Sequence, residues 1–319
     1  MMMSSIEEMA LLTGIPGPTL RSYMWHADAY YKTFQIPKRS RRGHRTINAP
    51  SPELKGLQWW VMTTVLRPVP LPEECMAFRR GRSIVSNASP HAGRQFVLNA
   101  DIEDFFPSIT AARVYGVFRH LGFSGELGAG LARLCTYRGA LPQGAPSSPD
   151  IANIICRPLD ARLRGLCARH DWVYTRYCDD LTISGSGAVG GVMKSIRAIV
   201  EDEGFCLNDR KTRVLRRGDR QEVTGLVVNE KPNVPRPLRR RIRAIFHQAK
   251  VDPDGSVAKL HQLYGYRGFL SMVSPESSSL AAYAEVIASV RAAIRKQDDD
   301  ALRARALEGW TRAAGPAVP

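Results

Sequence analysis

The sequence predicts an α+β fold that gives way to helices alone toward its C-terminal end. Up to about residue 235, short apolar runs bounded by turn residues alternate with stretches whose apolar positions recur at helical spacing. After Pro232, Pro235 and Pro237 only the helical spacing remains. The 319 residues, 44% of them apolar, suffice for one large domain or for two to three small subdomains.

Taken in order, Met9, Leu11 and Leu12, then Leu20, Tyr23 and Met24, then Tyr30, Tyr31 and Phe34 are broken by Gly14, Pro16, Gly17 and Pro18. This predicts two small helices around a turn, an N-terminal helical extension over residues 1–35. Lys38, Arg39, Arg41, Arg42 and Arg45 follow; such a run repels itself unless an anion sits nearby, and it reads as a solvated or a phosphate-facing loop. Leu57, Trp60, Val61, Thr64 and Val65 predict a helix from Leu54 to Leu66, stopped by Pro68, Pro70 and Pro72. Phe96, Val97 and Leu98 make a buried strand that ends in Asp101, with Ile102, Phe105 and Phe106 beyond it and a helix from Thr110 to about His120.

The stretch GALPQGAPSSP, residues 139–149, is too rich in Gly, Pro and Ser for a regular element. Ile151, Ile154, Ile155, Leu159, Leu163 and Leu166 then follow a helical period that Pro158 should bend or break. Trp172–Tyr177 and Leu181–Ile183 outline a hairpin with Asp179 and Asp180 at or near its tip. A helix from Val192 to Glu203 and short strands around Val214 and Val223–Val228 close the mixed block. Helices over Leu238–Lys250, Val257–Phe269 and Ser278–Arg303 follow, with a frayed tail at 311–319; Tyr264 and Tyr266 are expected to pack one helix on another, with stacking on a nucleotide as the alternative.

Lys and Arg outnumber Asp and Glu by 45 to 30, so a polyanionic partner is the first expectation, with a merely solvated basic surface as the plain alternative. Arg dominates the positive residues, and its planar fork suits phosphate. The six cysteines form no CxxC pair and read as reduced thiols of a cytoplasmic protein. The start lacks the pattern of a secretory signal, and no apolar stretch is long enough to span a membrane.

Asp101 ends one apolar strand while Asp179 and Asp180 interrupt another. Carboxylates set against buried strands repel one another unless a cation compensates them. Three of them could hold two Mg²⁺ ions through hard oxygen ligands, the arrangement of in-line phosphoryl transfer. A basic chain with such a centre fits a nucleotidyl transferase.

Tyr177, Cys178, Asp179 and Asp180 resemble the YxDD signature of reverse transcriptases, and further blocks stand in the expected order. Asp101 with Ile102–Ile109 looks like the first palm motif, and Leu141–Pro149 resembles the LPQG(A/S)P(S/T)SP segment almost residue for residue. Gly204, Phe205, Leu207, Asn208 and Lys211 look like the palm block that carries a lysine. The resemblance covers about residues 36–250. Asn87, Ala88, Ser89, Pro90 and His91, similar to an NAxxH block, and Val223, Thr224 and Gly225, similar to a VTG block, narrow it to the retron reverse transcriptases of bacteria.

The resemblance implies a right-hand polymerase fold with an antiparallel palm sheet: fingers at 36–98 and 113–165, palm at 99–112 and 166–235, helical thumb at 236–310. It implies RNA-directed DNA synthesis from dNTPs with two Mg²⁺ ions, for which Mn²⁺ can substitute. Asp101, Asp179 and Asp180 would be the catalytic and metal-binding acids, joined by the backbone carbonyl of Ile102. Arg45, with Lys38 or Arg42, would cap the triphosphate, since Arg45, Ile47 and Pro50 match an RxIxxP pattern. Phe106 would sit under the sugar and favour deoxynucleotides, although it also reads as a plain core residue; Gln143 and Gly144 would meet the incoming nucleotide. Lys211 would neutralise the site or steady the primer end. Cys178 stands where the subgroup usually has Ala.

For RNA, the resemblance points to Asn87, His91, Val223, Thr224 and Gly225, and the basic runs add Arg213, Arg216 and Arg217, then Arg236, Arg239, Arg240 and Arg243, backbone contacts that position without reading sequence. The retron branch further implies a cognate structured non-coding RNA as template and primer, a short DNA joined to it, and a separate effector protein in phage defence. A reverse transcriptase of another bacterial defence or intron lineage and a non-catalytic RNA-binding scaffold are the alternatives.

Overall fold

The computed structural model describes residues 3–37, 43–123 and 125–313, from residue 300 onward by backbone alone. Contacts divide the described chain into two compact units, one up to Thr224 and the other from Gly225.

The first unit opens with α1 (Ile6–Thr13) and α2 (Gly17–Trp25), whose buried residues Ile6, Met9, Leu20 and Met24 join the main core. The expected pair of helices is present. The chain then does what the apolar pattern concealed: β1 (Tyr31–Pro37) pairs antiparallel with β2 (His44–Pro50), Phe34 opposite Ile47 and Ile36 opposite Arg45. Residues 31–35, expected within the helical extension, are strand instead, and so is Arg45, expected in a loop. Lys38 and Arg42 lie outside the described residues.

Ser51 caps α3 (Pro52–Val61), which continues into one π-helical turn at Met62–Leu66. A Ser83–Ser86 capping box starts α4 (Ile84–Ala88). Strand β3 (Phe96–Asp101) is followed by α5 (Ala111–His120), capped by Thr110, and by α6 (Gly125–Leu134). The helical stretch around Pro158 is two helices, α7 (Ser148–Ile155) and α8 (Arg157–Ala168), separated at Cys156. Pro158 falls in the first turn of α8, where a missing N–H costs nothing.

Strands β4 (Val173–Tyr177) and β5 (Asp180–Gly185) form the expected hairpin; α9 (Met193–Asp202), β6 (Arg213–Arg216) and β7 (Glu222–Val223) complete the unit. The principal sheet is antiparallel with order β4-β5-β3-β6. Phe96, Leu98 and Ala100 on β3 and Leu181 and Ile183 on β5 pack into the core with Phe105, Phe118, Ile151, Leu163 and Phe205. Burying apolar surface of this kind contributes roughly 25 cal/mol per Å² and anchors the sheet's central strands.

The second unit begins with β8 (Leu226–Val227) and becomes helical with α10 (Arg236–Val251), α11 (Leu260–Val273) and α12 (Ser279–Ala313). Helix α11 starts three residues later than the pattern predicts, because Asp254–Lys259 adopts a 3₁₀ turn. Ile242, Phe246, Leu263, Leu270, Ile287 and Val290 are among the buried residues of the second unit, and Phe246 stacks on Tyr283 at 3.9 Å between ring centroids. Tyr264 does not pack as expected: it is exposed on α11, while Tyr266 is half-buried. Among the described residues no helix is long and apolar enough to cross a membrane. All six cysteines are free thiols, four of them buried.

Candidate active site

Strand register brings the three acids together. On the antiparallel ladder Asp101, the last residue of β3, stands directly opposite Asp180, the first of β5. The turn between β4 and β5 consists of Cys178 and Asp179, and the N–H of Ile102 donates to the Asp179 carbonyl at 3.0 Å. Carboxylate oxygens of Asp101, Asp179 and Asp180 consequently lie within 4.8 Å of one another. Like charges directly opposite on a ladder destabilise it, so the arrangement calls for a cation.

Lys211 supplies one. The chain after α9 runs antiparallel beside the end of β3: Glu103 N–H donates to the Cys206 carbonyl and Asn208 N–H to the Asp101 carbonyl, both at 2.8 Å. The turn that follows carries the Lys211 ammonium onto both Asp101 oxygens, at 2.7 and 2.8 Å. Asp180 is left with less compensation. Protein crowding its carboxyl, and then the charges of Asp179 and Asp101, push it up to about 6 against the opposing pull of Lys211. The donor set is all carboxylate oxygen, which suits a hard divalent ion rather than a soft one.

Beside the acids, Phe105 is core and touches Phe205, while Phe106 is half-exposed and packs against Phe105. Leu141 N–H donates to the Ile109 carbonyl at 2.9 Å and Ser148 Oγ to the Pro142 carbonyl at 2.8 Å, which holds the LPQG loop in place. That loop carries the β1–β2 hairpin: Asn48 N–H donates to the Gln143 carbonyl at 2.9 Å. Gly144 has φ +134°, and a Cβ there would lie 2.8 Å from the Asn48 carbonyl oxygen and 3.1 Å from Ile47 Cγ2. Only glycine permits so close an approach in that conformation. Arg45, exposed on β2, is thereby tied to the same loop as Gln143. Asn48 acts through its backbone N–H, which carries no residue-type signal in the sequence.

A model of the family described as "Reverse transcriptase (RNA-dependent DNA polymerase)" matches residues 36–236. The chain is 37% identical over 280 residues to the Retron Ec86 reverse transcriptase of Escherichia coli, a match covering 86% of each chain. It is 38% identical over 298 residues to the Retron Mx65 reverse transcriptase of Myxococcus xanthus, covering 85% of this chain and 69% of the relative. Against the Retron Mx162 reverse transcriptase of the same organism it is 38% identical over 314 residues, 86% of this chain and 64% of the relative.

The chain belongs to the retron reverse transcriptases. It is an RNA-directed DNA polymerase, with an RNA template and deoxynucleoside triphosphates as substrates, and its family works with a divalent metal ion.

Three residues expected to touch RNA require correction. Asn87 and His91 of this reverse transcriptase are fully buried, and Val223 is nearly so, which removes their side chains from any RNA surface. Asn87 Nδ2 donates to Thr224 Oγ1 at 3.4 Å, and Thr224 Oγ1 donates to the Ile84 carbonyl at 3.1 Å, so the NAxxH and VTG blocks meet each other. Of the latter block, Gly225 is exposed; Thr224 and Gly225 both have left-handed φ, 47° and 78°. His91 bridges the sheet, with Nδ1 2.7 Å from Ser184 Oγ on β5 and Nε2 2.8 Å from Thr175 Oγ1 on β4. Arg213, Arg216 and Arg217 are exposed, as are Arg236, Arg239, Arg240 and Arg243, which form one stripe on α10 at helical spacing.

Burial of the His91 ring, aided by the charge of Arg94, lowers it from 6.5 to about 3. A base depressed in the folded state contributes stability that is fully present above its unfolded value and lost as pH falls toward the folded one. Between pH 6.5 and about 3 this single site should add about 1 kcal/mol per pH unit to the acid sensitivity of folding. Urea denaturation of wild type and His91→Gln over that range checks it: the variant's stability should fall less steeply, and parallel curves would refute the assignment.

Proposed function

We propose that this enzyme copies part of a cognate structured non-coding RNA into a short single-stranded DNA that remains covalently joined to that RNA. It would act in the cytoplasm with a separate effector protein in anti-phage defence. The observation that carries the reading is the cluster of Asp101, Asp179 and Asp180 beside Lys211 at one end of the sheet, in a chain so similar to retron reverse transcriptases.

In this reading residues 99–112 and 166–235 form the palm, 36–98 and 113–165 the fingers, and 236–310 the thumb. Asp101, Asp179 and Asp180, with the carbonyl of Ile102, would hold two Mg²⁺ ions, for which Mn²⁺ can substitute. When bound there, such ions lower the pKa of an attacking 3′-hydroxyl and neutralise charge on the triphosphate. Lys211 balances the acids until they are engaged and then faces the primer end. Arg45, carried by the hairpin on the LPQG loop, caps the triphosphate, assisted by Lys38 or Arg42. Phe106 packs under the sugar and excludes a 2′-hydroxyl by its bulk, while Gln143 and Gly144 face the incoming sugar. The exposed arginines at 213, 216 and 217 and the stripe on α10 bind RNA phosphates, whose recognition by shape fits a folded template. Thr224 and Gly225 present backbone for the same purpose, with Asn87, His91 and Val223 as their buried support.

Sequencing the nucleic acid that co-purifies with the wild-type chain, beside an Asp179→Asn, Asp180→Asn double variant, tests the reading. Wild type should carry a short DNA joined to a structured RNA, and the variant RNA alone. Unlinked DNA would indicate another reverse transcriptase lineage, and RNA without DNA in both samples a binding scaffold.

A further inference from the structure

We propose that Arg176 is a positioning residue for Asp179: its buried guanidinium, clamped by Asp160, fixes the peptide between Cys178 and Asp179 and so aims the metal-binding carboxylates. The inference rests on the metal-site reading above.

Arg176 on β4 and Asp160 on α8 are both completely buried. Their contact is two-pronged, Nε donating to Oδ1 and Nη2 to Oδ2, each at 2.8 Å. The Tyr174 hydroxyl donates a further bond to Oδ1 at 2.8 Å. The remaining nitrogen, Nη1, donates to Asn153 Oδ1 at 3.0 Å and to the Cys178 carbonyl at 3.2 Å. The backbone of Arg176 is held as well, its N–H donating to the Glu74 carbonyl and its carbonyl accepting from Met76 N–H, both at 2.8 Å. Anchored at each end, the side chain acts as a strut that reaches the turn two residues ahead of it.

That turn needs a support. Cys178 has φ 63°, a left-handed conformation that a residue with a Cβ adopts only when its surroundings impose it. The carbonyl on one side of Asp179 is tied to Arg176, and the carbonyl of Asp179 itself to Ile102 N–H. With both flanking peptide planes held, the direction of the Asp179 side chain is set. An apolar pair would fill the space between α8 and β4 without the cost of burying two charges. It could not reach the Cys178 carbonyl, and this is what the ion pair adds.

Mn²⁺ alone is the probe, titrated into the nucleic-acid-free full-length chain with free Mn²⁺ read by electron paramagnetic resonance, next to thermal melts. Arg176→Lys keeps the charge but lacks the fork; Arg176→Met combined with Asp160→Asn removes both charges and leaves an acceptor for Tyr174. Each variant that folds should bind Mn²⁺ about tenfold more weakly, the scale of losing a group that orients a ligand, and its DNA synthesis should recover in part at saturating Mg²⁺. Asp179→Asn is the reference: if it binds Mn²⁺ as wild type does, the metal-site reading itself is wrong. If Asp179→Asn weakens binding while a folded Arg176 variant matches wild type, the positioning role is overturned. Failure of both variants to fold also overturns it, since Arg176 would then be a core residue and nothing more.

Discussion

Asp179→Asn is expected to lower RNA-templated DNA synthesis by at least about 10³-fold, some 4 kcal/mol of transition-state stabilisation, and to leave the melting temperature unchanged or higher. The two effects separate because the acid is placed against the fold's own interest. Asp179, Asp180 and Asp101 present oxygens within 4.8 Å of one another, and Lys211 compensates Asp101 directly. Removing one negative charge relieves repulsion in the metal-free protein. Asn keeps the shape, and the backbone carbonyl that accepts from Ile102 is untouched. Primer extension on an RNA template, with scanning fluorimetry in chelator, checks both halves. Retained synthesis would remove Asp179 from the site, and a lower melting temperature would make it a folding residue.

Gly144→Ala should reduce kcat/KM for dNTP by about 10- to 100-fold, mainly through KM, the range expected when roughly 1–3 kcal/mol of local strain is transmitted to a binding site. The added methyl would meet the Asn48 carbonyl oxygen, a backbone atom that cannot rotate away, at a φ of +134°. Relief requires the β1–β2 hairpin to lift from the LPQG loop, stretching the Asn48 N–H to Gln143 bond and moving Arg45 with it. Gly116→Ala is the control: it lies within α5, a Cβ there meets nothing within 4 Å, and Ala favours the helix. Steady-state dNTP titrations of the two variants decide the matter. Matching kinetics would show that the close approach at Gly144 does not hold the LPQG loop against the hairpin.

The legible parts of this protein are those where local pattern and function coincide. Asp101 ends an apolar run and Asp179 and Asp180 interrupt another, so strand ends and acids could be read together. The break before Pro158 is legible because proline cannot donate back into the preceding helical turn but is accepted in the first turn of a new helix. By contrast β1 leaves little trace in the sequence because it is largely exposed: Lys32, Phe34 and Ile36 show no buried face, and without one the alternation that marks a strand is absent. Arg176 within the short run of β4 and Asp160 on the apolar face of α8 are marked in the sequence only by being charges at positions where that pattern calls for apolar side chains. Asn87 and His91 show the reverse case. A polar residue in a recognisable block reads as a surface contact, and only packing shows that it points inward.

The family, the chemistry of the three acids, the loop that needs glycine and the change from mixed to helical structure can all be read from the chain's residues. These depend on residue types at short range, where propensity and spacing act. Tertiary structure alone decided that Asp101 faces Asp180, that Lys211 reaches both oxygens of Asp101, and that Arg176 braces the turn before Asp179. The Asp101–Asp180 and Lys211–Asp101 contacts join residues far apart in the chain, and Arg176 reaches its turn only from a clamp on Asp160 in another element. Strand register and packing of a shared core bring such groups together, and no local segment encodes either one.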